Sequence, residues 1–134
     1  MRRRSLTLPA IVLGIIVVSV GAQGPPPAPA FKAVHLSNLT PSQVATLQEW
    51  MADMNAAIAK TGHADVRYRL YKVTGTQAGK YEYMWESAWP GGEVYTTIHN
   101  SPEWKEVAGR HPGLEALMQD EIYNRYVEVV PEKR

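Results

Sequence analysis

The sequence predicts an α+β domain in which a four-stranded antiparallel sheet carries its helices on one face. Two alternating stretches indicate strands, because apolar residues recur at every second position in residues 65–73 and again in residues 81–89. Helical spacing of apolar residues between Val44 and Ile58 indicates the covering layer. The predicted order of elements is β-α-β-β-α-β, the split βαβ arrangement.

Residues 31–39 have the composition of a strand. Alternation places Val34 and Leu36 on one face of that strand and His35 and Ser37 on the other. We expect the apolar pair to face the helices, which leaves His35 and Ser37 on the open face of the sheet.

The first helix has strong signals at both ends. Thr40 is the expected N-terminal cap, Pro41 takes the first helical position, and Gln43 completes a capping box. Gly62 can adopt the left-handed conformation that ends many helices. The expected apolar stripe consists of Val44, Leu47, Met51, Met54 and Ile58.

Two strands, residues 65–73 and residues 81–89, flank a hairpin loop at residues 74–80 that contains two glycines. In the register that we expect, Arg67 lies directly opposite Glu86. The face of this hairpin turned away from the helices then carries Arg67, Arg69, Tyr71, Glu82, Met84 and Glu86.

A Pro-Gly-Gly turn leads into the second helical region. A short helix is expected over residues 93–100, and Ser101 caps a second piece that begins at Pro102. A last helical turn over residues 114–120 precedes the final strand, residues 121–130.

The N-terminal segment, residues 1–22, has the basic start, apolar run and small residues of a cleavable secretory signal peptide. Its apolar run falls short of the ~20 residues of a membrane-spanning helix, so a membrane is expected as partner only if the segment stays uncleaved. Residues 23–30 form a proline-rich linker, residues 31–130 the domain, and residues 131–134 a charged tail. We expect an exported protein, periplasmic or secreted.

Composition and charge exclude several classes of function. The absence of cysteine excludes disulfides, a thiol nucleophile and a cysteine-based metal site. Loss of the signal segment removes three arginines and moves the formal net charge from +1 to −2. A chain without a basic cluster is not expected to bind nucleic acid. The histidines lack metal-ligand spacing, and neither a metal nor a cofactor is expected.

Four features mark the second half of the domain: the strand end MWES at residues 84–87, Tyr95 early in the next helix, SPEWK at residues 101–105, and the aromatic closing strand, residues 121–130. With these features, residues 31–130 resemble the dimeric α/β-barrel superfamily. That superfamily has a ferredoxin-like fold and includes antibiotic-biosynthesis monooxygenase-like and NIPSNAP-like domains.

The resemblance implies a homodimer in which two sheets pack face to face and form a barrel. The composition of the predicted open face agrees, because that face is too mixed and aromatic for a plain solvent surface. An isologous contact through this face would bury it. The face is predicted to carry His35, Ser37, Arg67, Arg69, Tyr71, Glu82, Met84, Glu86, Tyr126 and Glu128.

The candidate ligand site is predicted on the same face. Arg67 or Arg69 would hold a polar or acidic ligand there, and Trp89 would line the mouth of the pocket. The alternative interpretation is that Arg67, Arg69 and Glu86 form only structural ion pairs. The candidate ligand-binding residues are Arg67, Arg69, Tyr71, Glu86, Trp89 and Tyr126.

His35 is the candidate catalytic residue. Imidazole titrates near neutral pH, which suits a general base. The alternative is a structural histidine that is held by hydrogen bonds.

Three activity classes belong to the superfamily that the chain resembles. Haem-degrading members have a tryptophan and a haem-ligating histidine at positions that here hold Ile98 and Ala108, and His111 lies one turn later, so this chemistry is not expected. Cofactor-free quinone-forming monooxygenases need an aromatic pocket with a few polar groups, which this chain can offer. NIPSNAP-like or stress-response barrels have no agreed chemistry.

The leading hypothesis is an exported small-molecule-binding barrel of unassigned activity. The first alternative is a cofactor-independent monooxygenase-type enzyme that acts on an aromatic or polyketide-like substrate. The second is a structural dimerisation module without catalysis. The residues alone leave open whether the chain is an enzyme.

Overall fold

A computed structural model describes residues 28–76, 79–117 and 121–131. The predicted signal segment, most of the predicted linker and the last three residues of the tail lie outside these ranges. Within them, no helix is both long and apolar enough to cross a membrane. The elements are β1 (Phe31–Ser37), α1 (Pro41–Lys60), β2 (Tyr68–Lys72), β3 (Tyr83–Trp89), α2 (Gly92–Asn100), α3 (Pro102–Arg110), α4 (Leu114–Leu117) and β4 (Ile122–Tyr126).

The strands form one antiparallel sheet in the order β2-β3-β1-β4, so β2 and β4 are its edges. The helices pack on one face of this sheet, and α1 contacts both β2 and α3. The predicted α+β class, the ferredoxin-like order of elements and the one-sided helix layer are therefore confirmed.

Helices α1 and α3 begin where a nearby side chain accepts a hydrogen bond from a backbone N–H group of the first turn. The Gln43 N–H donates to Thr40 Oγ1 at 3.3 Å, and the Thr40 N–H donates to Gln43 Oε1 at 2.8 Å, so the predicted capping box is present. The Trp104 N–H likewise donates to Ser101 Oγ at 3.2 Å. These contacts join residues only three apart, which explains why the sequence alone predicts them.

The first strand turns His35 and Ser37 toward the helices, so their predicted place on the open face is wrong. The ring of Phe31 enters the hydrophobic core, and alternation then carries every second residue to the same side. Val34 and Leu36 occupy the open face instead. A buried histidine is tolerated when it is hydrogen-bonded, and His35 meets that condition.

The hairpin register differs by two residues from the predicted one. Arg69, not Arg67, lies opposite Glu86, and Arg67 precedes the first residue of β2. The two carboxylate oxygens of Glu86 instead meet the Tyr71 hydroxyl and the Lys32 ammonium, each at 3.4 Å. The predicted Arg67–Glu86 pair is therefore corrected, because the ladder ends at Lys72–Tyr83 and the connection between the two strands is longer than the predicted loop at residues 74–80.

The side chain of Asn55 fixes where β2 begins. The Tyr68 N–H donates to Asn55 Oδ1 at 2.7 Å, and Asn55 Nδ2 donates back to the Tyr68 carbonyl at 3.1 Å. The amide of Asn55 thus satisfies both peptide groups of Tyr68 and ties the sheet edge to α1.

Trp89 is a core residue that also borders a groove at the end of the sheet, so the prediction that it lines a pocket mouth stays a prediction. Only 2% of its surface is exposed, and its indole N–H donates to Ser87 Oγ at 2.8 Å. Its ring packs edge-on against Tyr95, with 4.9 Å between the ring centroids. A large ring whose polar N–H has a partner is suited to such a buried position.

The chain enters the domain across the start of α2. The Gly92 N–H donates to the Ala28 carbonyl at 3.2 Å. A Cβ atom at Gly92 would lie 2.8 Å from the Ala28 Cβ, which is closer than carbon atoms pack. This close approach accounts for the glycine at the end of the Pro-Gly-Gly turn.

Candidate functional site

A cavity of about 200 Å³ lies between the sheet and the helices, and we call it the sheet–helix cavity. The four tryptophans of the chain supply much of its wall. Well-packed interiors hold few voids of this size, so the cavity is the first place to look for a ligand. Its polar side chains are those of His35, Tyr68, Ser87, Tyr95, His99 and Tyr123.

His35 reaches the cavity from the middle of β1. Its Nδ1–H donates to Glu121 Oε1 at 2.7 Å, and both side chains are about nine-tenths buried. The imidazole stacks on Trp85, with 3.5 Å between ring centroids and 8° between planes. These contacts fix the ring and leave Nε2 as the nitrogen available to a ligand.

His99 reaches the same cavity from α2. Its Nδ1 lies 2.7 Å from the Tyr95 carbonyl oxygen, which can only accept a hydrogen bond, so Nδ1 carries a proton. The ring lies between Tyr95 and Trp104, with centroid distances of 3.7 and 3.9 Å. Burial lowers the pKa of His99, and the positive charge of Arg125 lowers it further, which favours a neutral ring with a free lone pair on Nε2.

Tyr68 supplies a protonated hydroxyl to the cavity. Burial raises the pKa of Tyr68 well above its ordinary value, so its phenol stays neutral. The neighbouring Ser87 accepts the Trp89 indole N–H and hydrogen-bonds the Tyr68 hydroxyl. The Tyr68 hydroxyl, held in this way, can therefore orient a polar substituent of a ligand.

The arrangement suits proton transfer. His99 presents an unprotonated Nε2, as a general base requires. His35 has a carboxylate at Nδ1, which fixes the orientation of the ring and directs Nε2 toward the cavity. A molecule in the cavity would thus meet two imidazole rings, each held by a partner at Nδ1.

The structure divides the sequence-predicted site between the two sides of the sheet. His35 and Trp89 lie in the sheet–helix cavity. An open, mainly apolar groove of about 390 Å³ at the end of the sheet contacts Trp89 and Tyr126. The remaining candidates, Arg67, Arg69, Tyr71 and Glu86, do not line the cavity that contains His35.

Several residues in the cavity wall, or in contact with it, were not predicted from the sequence. Glu121 is 86 positions from His35, and no local pattern links the two. His99 and Tyr95 are four residues apart, which places them on one helix face, and this spacing is the signal that could have identified His99. Within the described ranges, no cluster of three or more His, Cys, Asp or Glu side chains could hold a metal ion.

No protein-family model matches the chain, and no curated protein matches it in sequence. Solved structures do match. A dimeric ferredoxin-like protein of unknown function from Thermobifida fusca is 15% identical, with 74% of this chain and 91% of that chain covered and a TM-score of 0.51. The chain has a ferredoxin-like fold.

Two further structures share that fold. A DABB family protein from Mesorhizobium loti is 12% identical over 75% of this chain and 98% of its own, with a TM-score of 0.50. A Caulobacter crescentus protein provisionally assigned as an antibiotic biosynthesis monooxygenase is 14% identical over 77% and 92%, also at 0.50. These structures confirm the ferredoxin-like fold that the resemblance implied.

The lowered pKa of His99 predicts a pH-dependent stability. Because the unfolded chain takes up a proton at His99 before the folded protein does, the free energy of unfolding should fall as pH drops below about 6.5. The His99→Gln variant should show a shallower decline between about pH 7.5 and 5.5 in urea unfolding. The His63→Gln variant, altered in the turn after α1, serves as the control, and equal slopes for His99→Gln and the native chain would contradict the prediction.

Proposed function

We propose that the protein binds a small single-ring aromatic molecule in the sheet–helix cavity and catalyses a proton transfer on it. The observation that carries the proposal is that His35 and His99 line one cavity, each with Nδ1 already hydrogen-bonded. A purely structural histidine needs no such shared, open space.

The dimensions of the cavity support a ligand of this size. An apolar protein cavity of about 150 Å³ is known to hold benzene. A volume of about 200 Å³ fits one aromatic ring with one or two substituents. The tryptophan and tyrosine walls offer faces and edges against which such a ring packs favourably.

The two histidines would take different parts in the reaction. The neutral Nε2 of His99 removes a proton from an acidic position of the ligand, exchanges it with water and returns a proton to the same position. Nε2 of His35, whose ring Glu121 holds in place, relays protons between water and the ligand. The phenol of Tyr68 donates a hydrogen bond to the oxygen on which negative charge develops. These steps call for no group beyond the chain, its ligand and water.

Hydrogen–deuterium exchange on a bound aromatic ketone tests this proposal. In deuterated buffer the native protein should speed loss of the methyl proton signal of acetophenone. His99→Gln and His35→Gln should each slow this exchange by a factor on the order of 10²–10⁴, the usual contribution of a positioned acid or base. His63→Gln is the matched control and should exchange as fast as the native chain.

The outcomes separate the remaining hypotheses. Acetophenone binding without any histidine-dependent exchange would overturn the catalytic part and leave a binding protein. Absence of binding by any single-ring aromatic probe in a folded protein would favour the structural module. Oxygen uptake with quinol-like substrates would instead select the monooxygenase alternative, since proton removal also begins that reaction.

We also propose a homodimer through the open face, which we define as the face opposite the helices. This face exposes large apolar side chains, and Tyr126 at 52% and Ile122 at 41% exposure are examples. Val34 and Leu36 continue the apolar surface across β1. A similar fold occurs in a protein described as dimeric, which supports pairing of this kind.

Substitution of Val34 by arginine should weaken the dimer. Val34 lies between Glu86 and Asn124 in the strand register, near the middle of the open face. Two copies of a long cation in the middle of the contact would replace apolar packing with a charge that must lose its water, and even beside Glu86 this should raise the dissociation constant by more than tenfold. Sedimentation of native, Val34→Arg and Ala45→Arg proteins measures this, the last altered at an exposed position of α1. A native protein that is monomeric at all concentrations would contradict the dimer.

The proposal includes export through cleavage of residues 1–22. The basic start, the apolar run and the small residues near Ala22 support it. Mass spectrometry of the protein recovered from outside the cytoplasm should find a chain that begins at Gln23. Recovery of the uncleaved chain in the membrane fraction would favour an anchor instead.

A further inference from the structure

Arg125 is held against the edge of the sheet–helix cavity. Its guanidinium lies over the rings of Phe31 and Tyr95, with 4.7 and 4.9 Å to the two centroids. Its Nε–H donates to the Tyr123 hydroxyl at 2.8 Å. Tyr95 and Tyr123 belong to the cavity wall, and Arg125 does not. The guanidinium therefore lies at the edge of the cavity, in contact with two of its lining residues.

The position of this cation is fixed without a negative partner. Within the described residues, none of the ion pairs includes Arg125. Aromatic faces attract a guanidinium and hold its plane, but they do not neutralise its charge. The Tyr123 hydroxyl accepts from Nε–H and the Tyr95 hydroxyl also hydrogen-bonds the guanidinium, and the N–H groups that remain can donate to a carboxylate.

The positive charge of Arg125 acts on His99, which lines the cavity. Burial is the largest cause of the lowered pKa of His99, and the positive charge of Arg125 lowers this pKa as well. The same field would favour an anion placed between the two residues. The strand that carries Arg125 is an exposed edge of the sheet, which leaves the guanidinium accessible from solvent.

We propose that Arg125 determines specificity at this site, and that the ligand is a single-ring aromatic carboxylate. The inference rests on the proposed function, because it assigns the ring to the sheet–helix cavity. The carboxylate then lies at the cavity edge and forms a two-pronged ion pair with Arg125. The acidic position of the ligand stays inside, within reach of His99.

Benzoate and benzamide test the proposal, because they share a shape and differ in charge. Titration calorimetry on the full native chain should give benzoate an affinity about ten- to a hundredfold higher than benzamide, as expected for hydrogen bonds to a charged group. The Arg125→Gln substitution should lower the affinity for benzoate to that for benzamide. Arg125→Lys should restore part of the difference, because it keeps the charge and loses the fork.

Arg110→Gln is the matched control, since it removes an exposed arginine from α3 that does not line the cavity. It should leave both affinities unchanged. Equal affinity of the native chain for benzoate and benzamide would overturn the role of Arg125 while leaving ring binding in place. Failure of both probes to bind would overturn ring binding itself. The native comparison needs no variant, so poor folding of Arg125→Gln cannot obscure the result.

Discussion

The buried contact of His35 with Trp85 and Glu121 connects β1, β3 and the residue before β4. A polar ring in a core needs a hydrogen-bond partner, and Glu121 supplies it across the sheet. With this partner, His35 can share the helix-covered face of β1 with Phe31 and Ala33. Strand alternation then places Val34 and Leu36 on the other face, so the lining of the cavity and the composition of the open face both depend on this buried contact.

Features that depend on neighbours in sequence were predictable. The capping box of Thr40 and Gln43 and the Ser101 cap join residues three apart, and strand alternation needs only the order of side chains. The alternation gives two faces but not their roles. Val34 and Leu36 are more apolar than His35 and Ser37, and that contrast favoured the wrong face. Hydrophobicity decides poorly between two faces when each of them carries apolar side chains.

The candidate site required contacts between distant parts of the chain. His35 was identified by its chemistry, while Glu121 and Arg125 became part of the site only once β4 lay beside β1. His99 carries no motif, and its role comes from a carbonyl four residues earlier and from the rings on either side. Arg67 and Arg69 were predicted to bind a ligand because they are charged residues within a predicted strand. They do not line the cavity that contains His35.

The two ends of the domain lie together. Ala30, just before β1, and Glu128, just after β4, contact the same groove at one end of the sheet. At the opposite end, Asn38 and Glu121 share another surface depression. The chain therefore enters and leaves the domain at the same end of the sheet. If the domain were tethered through either terminus, the opposite end of the sheet, with Asn38 and Glu121, would be exposed to solvent.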